Sequence, residues 1–178
     1  LKKKLIKNNS IIIDSKSGYS GAGRSVHKNK RNKNLYESLS AYGVGFHRHN
    51  PEIEQMLRKY TNNNLKFIFT PHLSPMFRGI LTTIYVDLNK NISQSMIQKT
   101  LTNFYMKNRF IKILNKDKLV STNDVIETNN CIISVCKTKH KNKLIILSSI
   151  DNLIKGGSGQ AVQNMNIKFG FSSYEGLI

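Results

Sequence analysis

Two imidazoles and a guanidinium stand in succession at His47-Arg48-His49, directly before Asn50-Pro51-Glu52, in a chain of 178 residues. Histidine titrates near neutrality and can take or give a proton. An arginine fork fits carboxylate or phosphate, so the stretch suits acid/base work on an anion. Spacing alone leaves the bland alternative of a surface pair or an adventitious metal-affinity patch. Asn50 is a good N-cap and Pro51 a good first helical residue, with Glu52 and Glu54 favoured by the helix dipole. A helix is therefore expected from here to about Tyr60. Its Ile53, Met56, Leu57 and Tyr60 recur at i, i+3, i+4 and i+7, which predicts a buried face that seats it firmly. Gly43 and Gly45 permit an extended approach that would turn His47 and His49 to one side, near the free N–H groups of the helix start.

A second stretch, Ser15 to Arg24, holds three glycines and three serines in ten residues and cannot be the interior of a regular element. Small residues let a flat ligand approach the backbone, and N–H and hydroxyl groups can hold anionic oxygens. A flexible turn explains the composition equally well. His72 and Arg78, within the stiff two-proline connection Thr70 to Gly79, are possible site residues; for His72 a backbone-satisfied structural role is the expected one. Gln160, Gln163, Asn164 and Asn166 gather near the end, either as ordinary helix polarity or as amide contacts to a ligand. Cys131 and Cys136 match neither a zinc knuckle nor a redox pair, so both read as reduced packing residues, and no metal site is expected.

The elements that must position these groups follow from hydrophobic period. Strands are expected at 10–14, 65–69, 80–88 and 110–114, with a hairpin at 131–137 and 143–149. The run Ile11-Ile12-Ile13 leaves no polar face and predicts a buried strand. Helices are expected at about 93–107, capped by Ser93 with Ile97, Leu101, Phe104 and Tyr105 inward, and at 160–169, stopped by Gly170. Strands that follow one another without intervening helices predict an α+β fold with a mixed, largely antiparallel sheet and helices on one face.

The net charge of +18 would ordinarily suggest nucleic acid or an anionic membrane. The lysines are dispersed among many Asn and Ile, as an AT-rich coding bias would leave them, and no aromatic-studded basic strand accompanies them. Neither nucleic-acid nor membrane binding is expected. No run reaches eighteen apolar residues, and a cytoplasmic protein is the expectation.

Five segments in order carry a resemblance: Ser17-Gly-Tyr-Ser-Gly-Ala-Gly-Arg24, Tyr42-Gly-Val-Gly-Phe-His-Arg-His-Asn-Pro-Glu-Ile53, Phe69-Thr-Pro-His-Leu73, Arg78-Gly-Ile-Leu-Thr-Thr-Ile84, and Asp151-Asn-Leu-Ile-Lys-Gly156 with Gln160-Ala-Val-Gln-Asn-Met-Asn166. Together they resemble the C-terminal half of the N-acetyl-γ-glutamyl-phosphate reductases. The resemblance implies a domain like the C-terminal domain of semialdehyde dehydrogenases and glyceraldehyde-3-phosphate dehydrogenase over 1–152. It also implies, over 153–178, a final helix that returns to a Rossmann cofactor domain. It implies NADPH-dependent reduction of an acyl phosphate in arginine biosynthesis, through a thioester on a Cys that should lie upstream of Leu1, and a homo-oligomer when full length. The chain by itself is then expected to be inactive. His47 is implied as the acid/base, with His49 beside it and Arg48, Tyr42 and Arg24 toward substrate. Ser17, Gly18, Gly21, Ala22, Gly23, Gln163 and Asn166 are implied toward NADPH. The alternatives are an aspartate-semialdehyde-dehydrogenase type of reductase and a basic nucleic-acid-binding domain.

Overall fold

The computed structural model describes residues 1–21, 34–61 and 64–177. Its strands are β1 (Ile11–Gly18), β2 (Ser40–Ala41), β3 (Phe67–Ser74), β4 (Ile80–Asp87), β5 (Ile111–Ile113), β6 (Cys131–Lys137) and β7 (Lys143–Ile150). Its α-helices are α1 (Asn50–Arg58), α2 (Gln94–Tyr105) and α3 (Gly159–Lys168). All seven strands join one sheet in the order β2-β3-β1-β4-β7-β6-β5. β1 runs parallel to β3 and β5 to β6, and the other pairs are antiparallel. This is the expected mixed α+β sheet.

Alternation along the strands sorts the sheet into two sides. On one side Val86, Val135 and Leu144 meet Ile97 of α2, and Leu101, Ile84 and Ile146 pack around them. Ser93 caps α2 as expected by accepting the Met96 N–H at 3.3 Å. Phe104, expected inward, is 66% exposed; Ile97, Leu101 and Tyr105, spaced four apart, form the covered row of the helix and leave it to one side. Phe69 lies on this same side, in register with Ile13, Ile84, Ile146 and Val135, and the loop before α1 rests on it. On the other side residues 115–130 cover only the β6–β7 half, where Val120, Val125 and Ile132 form a second cluster with Leu81 and Leu147. Among the described residues nothing covers the β3–β1–β4 half of that side. Ile12 is 43% exposed there, so the expectation of a strand buried on both faces fails for want of a covering layer.

Long-range pairing also moved two boundaries. β1 continues through Ser15, Lys16, Ser17 and Gly18 because β3 and β4 flank it on both sides; two ladders outweigh the poor strand propensity of serine and glycine. β3 likewise runs through Pro71 to Ser74. Proline is tolerated there because β2, its outer neighbour, pairs only at Leu73 and His72.

Some of the lysines that are dispersed in sequence gather in space. Lys2, Lys3, Lys4, Lys7, Lys66, Lys90, Lys137, Lys139, Lys141 and Lys143 are exposed at one end of the sheet. Contacts such as Lys7 N–H to Asp87, Lys66 N–H to Asn8 and Leu88 N–H to Asn142 bring them together. The opposite end carries Gly18, Arg78 and Ile150.

Candidate functional site

Two centres emerge, joined by β3. The first is the imidazole cluster. Gly43 and Gly45 adopt positive φ (+56° and +78°), so the approach to His47 is a succession of turns and not the extended segment expected. The rings nonetheless meet: His47 and His49 lie edge-on with centroids 4.8 Å apart. The device is a hydrogen bond from the His49 backbone N–H to His47 Nδ1 at 3.2 Å. Tyr42 and Phe69 close two more sides of the His47 ring, at 5.3 and 5.4 Å. Burial lowers the pKa of His47, and His49 and Arg48 repel its proton further; the imidazole is neutral at pH 7. Burial raises the pKa of Tyr42. His49 and Arg48 are exposed, and Arg48 has no ion-pair partner among the described residues.

The helix after this cluster differs from expectation. His49, not Asn50, takes the N-cap position, and no side chain caps the helix. Asn50 donates its amide back to the Gly45 carbonyl at 3.2 Å and so braces the turn instead. Pro51 has no N–H and the Ile53 N–H is engaged by the His49 carbonyl at 2.9 Å, which leaves the helix start a poor anion site. No residue of α1 is buried, and Met56 and Tyr60 are half exposed; the helix is not firmly seated on this chain.

The second centre lies beyond the C-terminal ends of β1 and β3. A Cβ on Gly18 would stand 2.5 Å from the Phe77 carbonyl oxygen, so the absent side chain here serves close backbone packing. Ser17 Oγ donates to the Gly18 carbonyl at 3.2 Å. Ser20 donates to the Phe77 carbonyl at 2.6 Å and accepts from Asn152 Nδ2 at 2.8 Å, and Asn152 Oδ1 accepts the Gly79 N–H at 2.7 Å. Asp151 is fully buried. Burial would raise its pKa, but N–H groups of Glu127, Ile154 and Leu153 and the Arg78 guanidinium outweigh that and hold it low. Sequence reasoning named Arg78 as a possible site residue and missed Asp151, the centre of this hub. The signal was scarcity: Asp151 is one of ten acidic residues facing 28 basic ones, placed directly after a hydrophobic strand. His72, expected to be satisfied by backbone, instead aims Nδ1 at Asp14 Oδ1 at 3.5 Å on the bare side of the sheet.

The helix α3 turns amide side chains inward and apolar ones outward. Gln163 Oε1 accepts from Lys155 Nζ at 2.7 Å and Asn129 Nδ2 at 3.0 Å. Asn166 is 2% exposed and donates to the Glu175 carbonyl at 2.9 Å, an internal tie that removes it from reach of a cofactor. Met165, Ile167 and Phe169 face outward. Ala22, Gly23 and Arg24 lie outside the described residues. Cys131 and Cys136 are free thiols whose pKa burial raises, packing residues as expected. Among the described residues no group of side chains could hold a metal ion, and no helix is long and apolar enough to cross a membrane.

Residues 1–152 match the model of the semialdehyde dehydrogenase dimerisation domain. N-acetyl-gamma-glutamyl-phosphate reductase from Clostridium botulinum strain Eklund 17B is 45% identical over 99% of this chain and 52% of its own length. The protein of that name from Vesicomyosocius okutanii is 48% identical over 99% of this chain and 51% of its length. The chain thus spans about half the length of the curated relatives it matches. Aspartate semialdehyde dehydrogenase II from Vibrio cholerae superposes with a TM-score of 0.64 at 15% identity, over 92% of this chain and 56% of that one, a likeness of fold.

Proposed function

We propose that this chain, which belongs to the semialdehyde dehydrogenase family through its dimerisation domain, is part of an N-acetyl-γ-glutamyl-phosphate reductase acting in cytoplasmic arginine biosynthesis. The observation that carries the proposal is the imidazole pair, with one ring neutral and the other exposed beside a guanidinium that has no ion-pair partner among the described residues.

The family is one of oxidoreductases and implies a nicotinamide cofactor; NADPH is the form proposed. The described residues do not by themselves build a dinucleotide cradle, since Gly18 is packed against protein and Asn166 is enclosed. Among the described residues Gln163, whose Nε2 makes no hydrogen bond there, Ser17 and Gly21 are the proposed contacts; Ala22 and Gly23, proposed with them, lie outside those residues. When bound, NADPH supplies the hydride that reduces the acyl carbon. The nucleophilic thiol is placed outside this chain, because Cys131 and Cys136 are packed in β6 and burial keeps them protonated.

The chain's own residues then divide the work. His47 Nδ1 is occupied by the His49 N–H, so its Nε2 carries the proton and serves as a neutral donor to the tetrahedral oxyanion. His49, exposed beside it, takes the thiol proton before attack on the acyl phosphate and returns it to the sulfur when the hemithioacetal oxyanion collapses to the aldehyde and releases the thiolate. Arg48 offers its fork to an anionic group of the substrate.

The bare half of the sheet carries Ile12, Ile68 and Tyr85, which are 43%, 58% and 43% exposed and adjacent in register. They line a groove of about 530 Å³. A contiguous apolar sheet face of this kind calls for cover, and a second copy of the chain is the proposed occupant, consistent with the family's description. The test of the function is direct: the full-length enzyme should oxidise NADPH with N-acetylglutamyl phosphate far faster than with aspartyl phosphate. The reverse preference would refute it.

A further inference from the structure

The polar hub at the second centre contains one cation whose hydrogen-bonding capacity the fold leaves unused. Arg78 donates Nη1 to Asp151 Oδ2 at 3.1 Å, while Nε and Nη2 have no partner among the described residues, and its side chain is 26% exposed. Asp151 does not depend on the arginine. Its oxygens already accept the main-chain N–H groups of Glu127 at 2.9 Å, Leu153 at 2.8 Å and Ile154 at 3.0 Å, enough to hold a buried carboxylate ionised. The pair is therefore asymmetric: the main chain fixes Asp151, and Asp151 fixes the guanidinium.

The backbone beside Arg78 is equally fixed. Gly79 has φ +101° and passes Thr122 so closely that a Cβ would stand 2.7 Å from it, and its N–H is held by Asn152. Through Asn152 and Ser20 the arginine shares its support with the glycine loop. The neighbouring cation, Lys155, is already engaged, by Gln163 and over the Phe110 ring at 5.5 Å. A guanidinium gripped at one nitrogen presents Nε and Nη2 as a side-on fork, the geometry that takes two oxygens of a carboxylate or phosphate.

We propose that Arg78, oriented by Asp151, is an anion-binding residue of the active site, receiving a carboxylate or phosphate of the substrate on its Nε–Nη2 edge. The inference rests on the acyl-phosphate reading above, whose substrate carries both kinds of anion, and assigns a residue that reading leaves unused.

The test uses the full-length enzyme run toward acyl phosphate, from aldehyde, inorganic phosphate and NADP. Arg78→Met is expected to raise KM for one of the two anions roughly ten- to a hundredfold, the range for losing a hydrogen bond to a charged group, with kcat changed much less. A rise for the aldehyde identifies its carboxylate as the partner; a rise for phosphate identifies the phosphoryl group. Arg78→Lys should recover only part of the loss, and Asp151→Asn should fall between. Both KM values within twofold of wild type in a folded R78M enzyme would overturn the proposal, and should R78M not fold, R78K carries the same comparison. An activity-free arm separates this idea from the functional reading. Phosphate or N-acetylglutamate should raise the Tm of the wild-type enzyme and not that of R78M or R78K. Equal shifts in wild type and variants, or none in any of them, would overturn it even if the enzyme proved to use another substrate.

Discussion

The start of α3 offers a sharp test, because Gly159→Ala sets two effects of opposite sign against each other. Gly159 has ordinary helical angles, φ −65° and ψ −38°, so alanine brings no backbone strain. Helix propensity alone would stabilise by about 0.8–1 kcal/mol. The added Cβ, however, would stand 2.5 Å from Asn129 Oδ1, 2.6 Å from Ile154 Cγ2 and 3.0 Å from the Ile154 carbonyl oxygen. Asn129 cannot step aside, since it is fully buried and its Nδ2 is tied to Gln163. The helix start must therefore retreat by close to an ångström. Overpacking of this kind costs about 1–3 kcal/mol, and with three contacts too close the upper end applies, which leaves a net loss of about 2 kcal/mol. For a chain of this size that lowers Tm by about 4–8 °C, measured by far-UV circular dichroism. Amide exchange at residues 160–168 should accelerate as the Asn129–Gln163 bond opens. Gly170→Ala is the control: with φ +77° and nothing within 4 Å, it strains the helix end and leaves that bond intact. A Gly159→Ala chain as stable as wild type would refute the reasoning, by showing that Asn129 and Ile154 do not hold α3.

In the full-length enzyme, His49→Ala should lower kcat roughly a hundred- to ten-thousand-fold, the range for losing a positioned acid/base group. His47→Ala, which removes one donor to the oxyanion, should lower it roughly a hundred- to a thousandfold, and a drop of less than about tenfold in either would remove that residue from its role. The pKa of Asp151 is depressed, so its contribution to stability is complete above the unfolded value of about 3.9 and is lost as pH falls through the lower folded value. Asp151→Asn should flatten that loss in urea midpoints taken from pH 6 downward, and an unchanged acid limb would count against the hub. Ile68→Lys places a charge on the bare sheet face and should convert a dimer to a monomer by sedimentation. This chain alone should show no NADPH oxidation with the acyl phosphate; activity above background would require a nucleophile within it.

Local order was legible in the sequence wherever short-range physics decides. The period of Ile80, Thr82, Ile84, Val86 and Leu88 gave a strand with one covered face. Ser93 gave a cap, Gly170 a stop, and the two runs around 138–142 a hairpin, because each depends on residues a few positions apart. The motif order pointed to the family, and the pairing of His47 with His49 survived although the loop between Tyr42 and Asn50 turns instead of extending. Tertiary structure decided the rest, for reasons of long-range contact. Two flanking ladders drew Ser15–Gly18 and Pro71–Ser74 into strands against their local propensities. The missing layer over Ile12 exposed a face that period alone reads as buried. Lysines far apart in sequence meet at one end of the sheet because strand ends converge there. Arg78 and Asp151, 73 positions apart, become one unit because β4 and β7 are neighbours, and no local pattern in either segment encodes that adjacency.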